Sequence, residues 1–89
     1  MAPFTYQFPK ICNPSGLTSQ LVKIESEAAE AVDAYAACEG DLRVAEELMD
    51  VIHAAETALR MLGIQPFVLN AVKAGVISKN EERGYYDAA

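Results

Sequence analysis

Residues 25–55 read ESEAAEAVDAYAACEGDLRVAEELMDVIHAA. Two runs of alanine and aliphatic residues flank the short stretch CEGD at 38–41. On the N-terminal side, Leu21, Ile24, Ala28, Ala31 and Tyr35 recur at spacings of three and four, the mark of one apolar helix face. Val22, Ala29, Val32 and Ala36 widen it. A first helix is predicted to start near Thr18 or Ser19, either of which can cap it, and to run to about Cys38. Gly40 suits its end and Asp41 the N-cap of the next helix. That second helix spans residues 42–62, with a stripe of Ala45, Leu48, Ile52, Ala55, Leu59 and Leu62, and Gly63 ends it. The stretch therefore reads as a helical hairpin, with Tyr35 in its core.

Outward from the hairpin, Pro66 fits the first turn of a third helix. That helix carries Phe67, Val68, Leu69, Val72, Val76 and Ile77 and fades near Gly84; Gly75 weakens it and marks an expected bend or break. Residues 1–17, with Pro3, Pro9, Pro14 and Gly16, read as an irregular N-terminal arm. Phe4, Tyr6, Phe8 and Ile11 give the arm something to pack with. The fold class is all-α, with one helical domain over residues 18–89. Hydrophobic residues make up 52% of only 89. A three-helix chain this apolar is expected to complete a four-helix-type bundle by dimerisation.

Thirteen acids against seven lysines and arginines give a formal charge of -6. That balance argues against nucleic acid as a partner, because a phosphate backbone needs a basic patch. No apolar run is long enough for a membrane span or a signal peptide, so no membrane partner is expected. The two cysteines, Cys12 and Cys38, lie in no CxxC and suggest reduced thiols in a cytoplasm. His53 is the sole histidine, which excludes a zinc site built on several. It falls on the polar arc of its helix, where surface exposure is expected.

The acids are not scattered. Glu27 and Glu30 lie three apart, as do Glu47 and Asp50, so each pair shares one helix side. Antiparallel helices place residues level when their numbers have a constant sum, and Glu30 with Glu47 matches Glu27 with Asp50. Four carboxylates, Glu27, Glu30, Glu47 and Asp50, can then form a square. Like charges so close repel, which makes sense around a hard cation such as magnesium or manganese. A solvated helix face is the alternative. Near the C-terminus, Lys79, Asn80 and Arg83 fall on one helix side and make a reasonable phosphate clamp. Tyr85 and Tyr86 add hydroxyls or a stacking surface. A solvated helix end is the alternative there. Lys23, one turn before Glu27, can touch a phosphate or pair with that glutamate.

The order EAAE (27–30), sixteen residues, ELMD (47–50), then KNEERGYYD (79–87) resembles the MazG-like all-α nucleoside triphosphate pyrophosphohydrolases. The likeness covers roughly residues 18–87. It implies magnesium-dependent cleavage between the α- and β-phosphates, giving a nucleoside monophosphate and pyrophosphate, often from aberrant or surplus nucleotides. Glu27, Glu30, Glu47 and Asp50 would be the metal ligands, and Lys79, Asn80 and Arg83 would hold the phosphates. The resemblance also implies a homodimer or dimer of dimers, with the site near the subunit interface. Many relatives carry an acid just before the first ligand, where this chain has Ser26. The residues support the same chemistry independently: Glu30 or Glu47 can orient or deprotonate water, and Lys79 and Arg83 can stabilise a leaving pyrophosphate. Two other readings are a non-catalytic helical dimerisation or adaptor module, and the same fold acting on dUTP or a phosphoribosyl nucleotide.

Overall fold

The computed structural model describes residues 16–87. Three helices follow in order: α1, Leu17–Ala36; α2, Asp41–Met61; and α3, Pro66–Glu82. Among the described residues there is no strand, so the all-α class holds. The expected arm lies almost wholly outside the described residues, although its last residue, Leu17, already opens α1. Cys12 also lies outside them.

Helix ends differ from the expected caps. Gly16 is the N-cap of α1, with no side-chain cap, so Thr18 and Ser19 sit inside the first turn. Gly40, at φ 98°, is the N-cap of α2. Asp41 is the first helical residue, where its charge still favours the positive end of the helix dipole.

The reversal between α1 and α2 is made by Cys38. The Cys38 amide donates to the Tyr35 carbonyl and the Glu39 amide to the Ala34 carbonyl, both at 3.1 Å. This is the paired closure of a Schellman ending, which puts the residue after the C-cap in the left-handed region. Cys38 occupies it at φ 56°. Glycine has no β-carbon to crowd the carbonyl there. The Cys38 side chain is exposed, so its loss removes no packing. Cys38→Gly should therefore raise unfolding free energy by about 0.5–1 kcal/mol, after the extra chain entropy of glycine is subtracted. Urea melts of the two proteins check this.

The hairpin seam is built from small residues. Ala31 and Ala34 of α1 are buried with Ala54 and Ala58 of α2. Thr57 is buried beside them, its hydroxyl donating to the His53 carbonyl at 2.9 Å. Gln20 Nε2 donates across the seam to the Ala54 carbonyl at 3.0 Å. Small side chains let two helices approach closely, which leaves bulky neighbours no space between them. The predicted stripes are displaced accordingly. Tyr35 is 76% exposed, not core, and Leu21, Leu48, Leu59 and Leu62 are exposed on the flanks.

The third helix runs unbroken through Gly75, so the expected bend is absent. It buries none of its residues. Extensive helix packing among the described residues is confined to α1 against α2. Phe67, at 71% exposed, and Val68, Val72, Val76 and Ile77 face outward. Exposed apolar side chains on an otherwise unpacked helix leave surface open to a partner. No helix among the described residues is long and apolar enough to cross a membrane.

Candidate metal centre

Glu27 and Glu30 stand one turn apart on α1, and Glu47 stands opposite them on α2. Carboxylate oxygens of the three lie within 4.8 Å of one another. Glu47 is only 3% exposed, because it occupies the seam itself. The Glu27 side chain is 14% exposed, and Glu30 is open to solvent. The hairpin register expected from the residue numbers thus brings acids of both helices together.

Two cations bracket the three acids. Lys23 Nζ lies 3.4 Å from Glu27 Oε1, so of its two expected options it takes the ion pair. Arg43 Nη2 lies 2.6 Å from Glu47 Oε1, and its Nη1 donates to Glu46 Oε2 at 2.9 Å. The remaining oxygens, Oε2 of Glu27 and Oε2 of Glu47, are out of solvent and accept no hydrogen bond. Anionic oxygens hidden in this way are costly unless something positive meets them. The donor set is all carboxylate, which suits a hard divalent ion such as magnesium or manganese and not a soft one.

Asp50 does not join the three. It was expected as the fourth corner of a square, but it lies about 60° round the helix from Glu47. With Glu47 turned into the seam, Asp50 turns to the rim and is exposed. There it lines a depression shared with Lys23, Glu27 and His53. His53 is half-buried in that depression, not on the open surface as expected.

The expected phosphate clamp is also elsewhere. Lys79 and Asn80 lie in the last turn of α3, and Arg83 is its C-cap. Asn80 Nδ2 donates to the Tyr86 hydroxyl at 3.4 Å, so these two do form a local group. Because α3 does not pack on the hairpin, Lys79, Asn80, Arg83 and Tyr86 are not brought to the carboxylates within one chain. Arg43 is the site residue that reading the motifs missed. Its signal was present, since an arginine four residues before a glutamate places the two side by side on a helix.

Glu30 is the acid without a cation of its own among these ion pairs. Its carboxyl is pushed above the ordinary glutamate value, first because its protonated form can donate a hydrogen bond to Glu47, then by the negative charge of Glu27. The folded chain therefore holds this proton at a pH where the unfolded chain has lost it. Metal-free stability should fall as pH rises from the ordinary glutamate value through the raised one. Below that window Glu30 is protonated in both states and the full benefit is present. Melting in EDTA across mildly acidic pH measures the slope, and Glu30→Gln should flatten it. A bound divalent ion needs the ionised carboxylate, so added magnesium should oppose the trend.

The chain matches no protein-family model, no curated protein and no solved structure.

Proposed function

We propose that the protein is a magnesium-dependent nucleoside triphosphate pyrophosphohydrolase of the MazG-like kind. It hydrolyses the bond between the α- and β-phosphates to a nucleoside monophosphate and pyrophosphate, clearing unwanted nucleotides from a cytoplasmic pool. One observation carries this reading: three carboxylates from two helices converge, with one oxygen each of Glu27 and Glu47 hidden and without a donor. An acidic chain meets a polyanionic substrate most readily through such a site.

Glu27, Glu30 and Glu47 would hold the ion, with Asp50 at the rim able to join. Magnesium, when bound, neutralises phosphate charge and lowers the pKa of water. Glu30 or Glu47 orients the attacking water and takes its proton. Lys79 and Arg83 grip phosphate oxygens and stabilise the departing pyrophosphate, with Asn80 and the Tyr86 hydroxyl donating beside them. Lys23, already at the carboxylates, can turn to a phosphate. Since α3 leaves its own hairpin, these C-terminal groups come from a second copy in a homodimer or dimer of dimers. The apolar flanks of the hairpin and the face of α3 then close on one another as a helical bundle.

Incubation with a panel of ribo- and deoxynucleoside triphosphates and magnesium, followed by assay of pyrophosphate, tests the reading. Turnover abolished by EDTA is expected. Relative rates across the panel, with dUTP and phosphoribosyl nucleotides included, define the substrate class. The second reading, a non-catalytic dimerisation or adaptor module, is favoured by the exposed apolar residues of α3 and by the two cations already on the acids. No turnover, with melting unchanged by magnesium and nucleotide, would decide for it.

A further inference from the structure

Glu47 is held from one side only. Arg43 Nη2 takes its Oε1 at 2.6 Å, while its Oε2 lies out of solvent with no donor. Glu47 itself is 3% exposed, so water does not stabilise the free oxygen. Arg43 is in turn braced by Glu46, whose Oε2 accepts from Nη1 at 2.9 Å. The chain Glu46–Arg43–Glu47 thus runs along one turn of α2 toward the three-carboxylate cluster. A guanidinium fixes a carboxylate in orientation because its donors are rigid and planar.

We infer that Arg43 is a positioning residue for a divalent cation: it anchors one oxygen of Glu47 so that the other stays available to the ion. This rests on the proposed cation site and deepens it. The opposing effect is repulsion between guanidinium and metal. It is weakened because the Arg43 side chain is half-exposed and its charge is shared with Glu46. Orientation of a carboxylate ligand by its outer partner is the larger effect, on the order of 10–100-fold in metal affinity.

Titration calorimetry of the full chain with manganese alone gives the readout, with no nucleotide and no turnover needed. Arg43→Ala should weaken manganese binding on the order of 10–100-fold. Arg43→Lys should recover part of the loss, since a point charge holds Glu47 without fixing its plane. Glu46→Gln, which loosens the brace, should give a smaller loss. Circular dichroism shows whether each variant is folded, and should Arg43→Ala unfold, Arg43→Lys and Glu46→Gln carry the comparison. If the wild-type chain binds manganese and the folded variants bind it equally or more tightly, the positioning role is overturned while the cation site stands. If the wild-type chain binds none, the cation site is overturned and this role with it.

Discussion

For the proposed pyrophosphohydrolase, Glu47→Gln should lower magnesium-dependent pyrophosphate release by about 10³-fold, equivalent to ~4 kcal/mol of lost transition-state stabilisation. The argument starts from position. Glu47 is the carboxylate that α2 places inside the seam, facing Glu27 and Glu30 across it. Glutamine keeps the size and one acceptor oxygen, so the seam alanines remain packed. It removes the charge that the proposed divalent ion requires, and a carboxylate from one of its three proposed ligands. The fold should tolerate the change. Arg43 keeps its bond to Glu46 and can still donate to the amide oxygen. Repulsion from Glu27 and Glu30 is relieved at the same time, offsetting part of the lost ion pair. The expected pattern is therefore loss of turnover with little change in melting temperature in EDTA, and absence of the magnesium-induced rise in melting temperature that the proposed site should give the wild-type chain. A variant that stays active, with magnesium still required, would remove Glu47 from the site.

The hairpin and its acidic cluster were legible for a simple reason. Level residues on antiparallel helices obey a fixed numerical relation, so Glu30 and Glu47 could be paired from the primary structure alone. The Gly63 ending of α2 was legible too, because the left-handed residue it requires is glycine, and it lies at φ 67°. The first reversal misled because a cysteine takes the left-handed position and Gly40 serves the next helix. Tyr35 was misplaced for a different reason. Each helix has more than one apolar arc, and hydrophobicity does not tell which arc meets which neighbour. The seam went to Ala31, Ala34, Ala54 and Ala58, whose small size allows close approach, and the leucines were left on the flanks. Asp50 followed from the same rotation, since turning Glu47 inward turns Asp50 outward. That α3 would leave the hairpin could not be read at all, because its apolar residues fit a partner from the same chain or from another equally well.

Departure of α3 leads to a complementation result. On the proposed function, Glu47→Gln and Arg83→Ala should each be nearly inactive alone, the first lacking a carboxylate and the second the cation proposed to bind phosphate. If the cations of one copy serve the carboxylates of another, the two defects lie in different half-sites of a mixed dimer. One of its two sites then combines Glu27, Glu30 and Glu47 from the Arg83→Ala chain with Lys79 and Arg83 from the Glu47→Gln chain, and is complete. Random exchange makes half of the dimers mixed, so an equimolar mixture should regain about a quarter of wild-type activity. The other site of the mixed dimer carries both defects and contributes nothing. Exchange has to be allowed by dilution and reconcentration or by co-expression, and pyrophosphate release is the measurement. Recovery cannot arise if each chain folds α3 back over its own hairpin, because every site would then hold one defect or the other. A mixture no more active than its components, with mixed dimers shown to be present, would place the cations of each site in its own chain.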